Sequence, residues 1–158
     1  MKHLFTLVLT GFFALTTAGI SQGQIDDPAP ASAANSEQSA PILDAFDINL
    51  GDFLWLSRVL VVFTDTPNDP RLAEQIAYFN DGLAGALERD LVLVVDSDPA
   101  AKSPLRERLR PRGFSLVLID KDGTKILRKA SPWHLRELGR VIDKTTIRQQ
   151  ELRKSRGE

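Results

Sequence analysis

Three short runs of large apolar and β-branched residues, Val59–Phe63, Leu91–Val95 and Leu116–Ile119, leave this chain few architectures. A strand that is apolar at every position keeps neither face in water. It belongs in a central sheet with helices on both faces. Between the first two runs lies Arg71–Arg89, where Leu72, Ile76, Phe79, Leu83 and Leu87 recur every three or four residues. That spacing is the apolar stripe of a helix. Strand, helix and strand together read as a right-handed parallel crossover.

Punctuation along the chain completes the pattern. Asp69-Pro70, Ser103-Pro104 and Ser131-Pro132 each place a capping oxygen before a proline. The oxygen accepts from a free backbone N–H, and proline fits the first turn, where a missing N–H costs nothing. Asp120-Lys121-Asp122-Gly123 joins Leu116–Ile119 to a strand over Thr124–Arg128, and Asp-Gly is a strong hairpin signal. A last helix is predicted from Pro132 to about Lys144, burying Leu135, Leu138 and Ile142. Thr146-Ile147-Arg148-Gln149 has the spacing of a capping box and either opens a short second helix or continues the first. The order is β-α-β-α-β-β-α, an α/β domain on a mixed sheet of about four strands.

The remaining segments divide the chain. Met1–Gly23 has a basic start, the apolar run Leu4–Leu15 and small residues after it, which reads as a signal peptide cleaved between Ala18 and Gly23. A membrane anchor would need about 20 apolar residues, and the run is shorter. A lipoprotein is excluded, because lipidation requires a cysteine and the chain has none. Residues 24–41, rich in Ala, Ser, Pro and Asp, read as a flexible linker. Ile42–Leu56 is too apolar for a tail and is expected to pack on the core, with a short strand or turn around Gly51. The domain then spans 42–154, with a tail at 155–158. The expected location is the periplasm or the exterior. A chain of this size, freed of its leader, can bury about two-thirds of its unfolded surface and needs no disulfide.

Trp55-x-x-Arg58-x-Leu60-x-Val62-Phe63, Asp69-Pro70-Arg71, Gly113-Phe114 and Lys121-Asp122-Gly123-x-Lys125-x-x-Arg128, in that order, resemble the domain-of-unknown-function family 4174. The resemblance covers about Leu54–Arg153. It implies an exported bacterial protein with a thioredoxin- or peroxiredoxin-like fold, and it brings no catalytic residues with it. In redox proteins of the thioredoxin type the loop after the first core strand holds the reactive cysteine. Here that loop is Thr64–Asp69, TDTPND. Pro111 is also set apart from the third strand by Arg112, Gly113 and Phe114, unlike the proline of thioredoxins. Thiol–disulfide exchange and thiol peroxidase chemistry both need a thiolate, and a chain with no cysteine supplies none.

Other chemistry has thin support. Past the leader there is a single histidine, His134, so zinc ligands are lacking, and no cofactor or metal is expected. Asp120-x-Asp122-Gly123 starts like a calcium loop but lacks the distal ligands. There is no Gly-x-Ser-x-Gly elbow and no phosphate-binding glycine loop. Two binding candidates remain. Thr64, Asp65, Asn68, Asp69 and Arg71 lie at the C-terminal end of a central strand, where open α/β sheets tend to bind ligands. The competing reading makes them a turn and a helix cap. Arg136, Arg140 and Lys144 repeat every four residues and share a helix face, joined by Arg148 if the helix continues. Arg106, Arg108, Arg110 and Arg112 add positive charge.

Charge is distributed unevenly. Residues 22–100 hold 14 acidic and 3 basic side chains, and residues 101–158 hold 7 acidic and 16 basic. Either the halves neutralise each other in one globule, or the basic half meets an anionic partner. Nucleic acid is not expected, given export and the lack of interleaved aromatics. The leading expectation is a non-catalytic module that binds a protein or an anionic envelope component and does not span the membrane after processing. The alternatives are a non-thiol enzyme using Asp65, Asp69, Arg71 or His134, and a self-associating structural protein of the envelope.

Overall fold

The computed structural model describes residues 42–157. The expected leader and linker lie outside the described residues. Five strands, β1 (Ile42–Asp44), β2 (Arg58–Phe63), β3 (Leu91–Asp96), β4 (Ser115–Ile119) and β5 (Lys125–Lys129), form one mixed sheet in the order β1-β3-β2-β4-β5. β3 runs parallel to β1 and β2, and β4 runs antiparallel to β2 and β5. The expected crossover and hairpin are both present. The strand beyond the expected four comes from the N-terminal extension, which places Ile42 opposite Leu93. Two 3-10 turns follow it, Ala45–Asp47 and Leu50–Phe53, capped by the side chains of Asp44 and Asn49.

The pleat sends alternate residues to opposite faces. Leu60, Val62, Leu93, Leu116 and Leu118 face α1 (Pro70–Asp81), α2 (Leu83–Leu87) and α4 (Leu135–Ile142). Val59, Val61, Phe63, Val94 and Val117 face α3 (Pro104–Leu109) and the two 3-10 turns. Phe79, Leu138 and Ile142 are fully buried in the first layer, each contributing about 1.5–3 kcal/mol. Among the described residues no helix is long and apolar enough to cross a membrane.

Three local departures from the expected helices matter for the site. The helix expected over Arg71–Arg89 breaks at Gly82. A Cβ at Gly82 would lie 2.6 Å from the Cβ of Leu135, so close helix contact, not the apolar stripe, decides the residue there. The last helix begins at Leu135 and not at Pro132, because Gln75 takes both polar groups of Trp133. Its Oε1 accepts the Trp133 N–H at 2.8 Å, and its Nε2 donates to the Trp133 carbonyl at 3.0 Å. The Trp133 carbonyl is thereby taken by Gln75, and Glu137 N–H bonds to the His134 carbonyl instead. The helix also stops at Ile142. Thr145, one residue earlier than the capping-box spacing suggests, caps a separate α5 (Thr146–Ser155) by accepting from Arg148 N–H.

Candidate functional site

The loop at the end of β2 closes on itself. Thr64 is buried, and its hydroxyl donates to the Thr66 carbonyl at 2.9 Å. The Thr66 hydroxyl accepts from Asn68 N–H. Asp69 caps α1 by accepting from Arg71 N–H at 2.9 Å, and the Arg71 guanidinium returns to the same carboxylate at 2.9 and 2.6 Å. That guanidinium also stands 5.1 Å over the Phe114 ring. Hydrogen bonding from Arg71 holds the Asp69 carboxyl below its ordinary range, and Asp69 raises Arg71 in turn. A carboxylate so occupied is a poor general base. Of the five loop candidates, Thr64, Asp69 and Arg71 serve turn and cap, while Asp65 and Asn68 are exposed.

Behind this loop lies a cluster that sequence reasoning missed. Asp96, at the end of β3, is buried and accepts from the Ser103 hydroxyl and from Arg106 at 3.0 and 2.6 Å. Arg106 also donates to the Thr64 carbonyl at 2.9 Å and lies 5.5 Å over the Phe63 ring. It fastens α3 to the ends of β2 and β3. The grouping of Arg106 with the surface charges is therefore corrected: Arg108, Arg110 and Arg112 are exposed, and Arg106 turns inward. An aspartate closing an apolar strand, followed by Ser-Pro, was the available signal.

At the opposite end of β2, Arg58 is wholly buried. Its Nε is 2.9 Å from the Asp120 carboxylate, and its two Nη atoms donate to Glu151 at 3.2 and 3.1 Å and to the Arg89 carbonyl at 2.9 Å. Lys121 joins Glu151 at 2.9 Å and Asp90 at 2.6 Å. Asp120 is thus turned inward to Arg58 and is not presented as a calcium ligand. Arg148 does not continue the basic face of α4. It is buried against Glu88 at 2.8 Å, with Asp143 and Glu151 farther off. Every basic residue of the acidic half, Arg58, Arg71 and Arg89, is ion-paired.

Arg136 and Arg140 behave differently. Both are exposed, and among the described residues neither forms an ion pair. They line one wall of a cavity of about 450 Å³ between α1–α2 and α4. Gly82, Ala84, Leu135 and Gly139 give it an apolar floor, and Arg89 runs along it, fixed to Asp143 at 2.9 and 2.8 Å. Hydrogen bonding between these two raises Arg89 and lowers Asp143. An adjoining cavity of about 310 Å³ shares Asp81, Gly82, Leu135 and Arg136, and adds Tyr78 and His134. Tyr78 and His134 stack with ring centroids 3.7 Å apart, and the Tyr78 hydroxyl donates to Glu74 at 2.6 Å. Lys144 lies past the end of α4, exposed and outside both cavities.

The four side chains considered for a non-thiol enzyme do not assemble. His134 sits against Tyr78, seven residues along α1 from Arg71, or about 10 Å of helix. The structure brings Arg136 and Arg140 together at one cavity, whereas of the loop candidates Asp69 and Arg71 are joined only to each other.

A model of one family, a domain of unknown function (DUF4174), matches residues 49–151. No curated protein sequence matches the chain. Among solved structures, the reduced 2-Cys peroxiredoxin of Plasmodium vivax superposes with a TM-score of 0.51 at 19% identity, covering 66% of this chain and 85% of that one. Reduced desulfothioredoxin from Desulfovibrio vulgaris Hildenborough gives 0.50 at 20% identity, covering 68% and 100%. Likeness at this level establishes a thioredoxin-like fold.

Proposed function

Since the chain belongs to the DUF4174 family, with a thioredoxin-like fold and no cysteine, we propose that it is a non-catalytic binding module. Its groove between α1–α2 and α4 takes an anionic segment of a protein partner, and it acts outside the cytoplasm once its leader is removed. The observation that carries this reading is the pair Arg136 and Arg140, one helical turn apart over a cavity of about 450 Å³ and without partners among the described residues. Elsewhere this chain pairs its inward arginines closely, so two left open beside a cavity are the natural seat for a carboxylate. The small floor residues leave room for backbone and side chain of a peptide, within the range of about 300–1,000 Å³ usual for binding pockets.

Calorimetric titration of the protein with a glutamate-rich octapeptide tests it. Binding should weaken steeply with added salt and fall at least about tenfold, or about 1.4 kcal/mol, in the double variant Arg136→Glu/Arg140→Glu. A wild-type protein that ignores the peptide, or a double variant that binds it equally well, defeats the reading. Fractionation of the producing cell tests export: the processed chain should be outside the cytoplasm.

A further inference from the structure

We propose that the groove also receives a second copy of this chain, through the corner Leu54-Trp55-Leu56. This rests on the groove being a binding site and names a partner for it. Trp55 has φ +63°, a left-handed conformation that a bulky aromatic residue rarely adopts. The corner is held there firmly. Trp55 N–H donates to the Lys121 carbonyl at 2.7 Å, and the next two N–H groups, of Leu56 and Ser57, both donate to the Phe53 carbonyl at 3.0 Å. Leu54 lies against Gly123 of the β4–β5 turn. The consequence is that Trp55 and Leu56 are each 69% exposed and Leu54 43%. Strain of this kind, maintained to hold a side chain out in water, marks functional positions. Three consecutive large apolar residues at one exposed corner mark an interaction surface.

Charge complementarity points to the occupant. Asp52 and Asp122 flank the corner in sequence and across the turn. Both are exposed, and among the described residues neither forms an ion pair. A lipid surface rich in anionic headgroups would repel them. The groove offers the opposite sign: with Arg89 and Asp143 paired to each other, Arg136 and Arg140 outnumber the one other acidic residue of its lining, Asp81, above the apolar floor of Ala84 and Leu135. Guanidinium over indole is a favourable contact, and Trp–Arg pairs are common at the energetic centre of protein interfaces. Trp55 does not line the groove of its own molecule. The contact is therefore between unlike surfaces of two copies, corner into groove.

Unlike surfaces permit a complementation test. Sedimentation velocity on the exported chain, up to about 100 μM, should show concentration-dependent association that is lost in 1 M salt, where screening acts beyond about 3 Å. Trp55→Gly removes the corner while suiting its φ, so the variant stays folded. Arg136→Glu/Arg140→Glu removes the groove's charge. Each variant alone should be monomeric. Mixed in equal amounts, they should form a heterodimer of twice the monomer mass, since one retains the corner and the other the groove. A wild type that stays monomeric throughout, or a mixture that stays monomeric, overturns the inference. If the glutamate-rich peptide still binds the wild type in that case, the groove stands as a binding site and only the second copy is wrong.

Discussion

The arginines around Arg58 and those along α4 carry the same group in opposite circumstances. Arg58 is buried and holds Asp120, Glu151 and a backbone carbonyl, so that all its charge is answered within the fold. Arg136 and Arg140 stand at a cavity and are answered by nothing among the described residues. The Thr64–Arg71 loop belongs with Arg58: Asp69 and Arg71 satisfy one another, and Thr64 and Thr66 tie the turn. The contrast shows that position at the end of a central strand is not enough for a site. What distinguishes the groove is charge left over after the fold has been satisfied and set beside a cavity, which the exposed Arg108, Arg110, Arg112 and Lys144 lack.

The comparison breaks most sharply at Arg58. Arg58→Met should cost about 3–5 kcal/mol, because it strands the buried Asp120 carboxylate and takes from Glu151 one of its cationic partners, leaving it Lys121. That is a large share of the 5–15 kcal/mol a domain ordinarily has, and the midpoint of urea unfolding reads it. Adding Asp120→Asn and Glu151→Gln should recover part of the loss.

Acid should act on the same cluster. Burial pushes the Glu151 carboxyl up, but hydrogen bonds from Lys121 and Arg58 outweigh it and hold the group below its usual 4.5. Hydrogen bonding from Arg89 holds Asp143 below its usual 3.8. A depressed carboxyl binds fewer protons folded than unfolded, so its stabilisation is full above the usual value and lost as pH falls through the folded one. Urea midpoints should decline as pH drops below about 4.5, and the decline should be shallower in Glu151→Gln.

The groove walls offer a finer contrast between two glycines. Gly82→Ala would drive a methyl into Leu135, with contacts of 2.6 and 2.7 Å to its Cβ and Cδ2. Such overpacking costs about 1–3 kcal/mol. Gly85 meets only the Arg89 Nη1, at an ordinary 3.6 Å. Gly85→Ala should therefore stabilise α2 by up to about 1 kcal/mol, from helix propensity alone. Thermal unfolding of the two variants should move in opposite directions.

Much of the frame was legible in the sequence, because it depends on local pattern. The all-apolar runs Val59–Phe63, Leu91–Val95 and Leu116–Ile119 became β2, β3 and β4, and Asp69-Pro70 and Ser103-Pro104 cap α1 and α3 as expected. What could not be read depends on contacts between distant residues. The glycine at the break, position 82, is required by the close approach of Leu135, and the late start of α4 comes from Gln75 reaching Trp133. An arginine opening an apolar strand gives no sign that it will be buried, and nothing in the alternating run of arginines sets Arg106, which turns inward to Asp96, apart from its exposed neighbours. For the site, the four-residue spacing placed Arg136 and Arg140 on one face, but only the fold shows the cavity beneath them and the loss of Lys144 and Arg148 from that face.

The smallest expected change in stability is the most telling for function. Arg136→Glu/Arg140→Glu removes two exposed side chains that make no ion pair among the described residues. Its urea midpoint should match the wild type to within about 0.5 kcal/mol, as for surface substitutions in general. The same variant should lose the glutamate-rich peptide. A residue that holds the fold together moves both measurements, as Arg58→Met should. A residue kept for a partner moves only the second. If the double variant unfolds as easily as Arg58→Met, then Arg136 and Arg140 are structural after all, and the distinction between answered and unanswered charge fails.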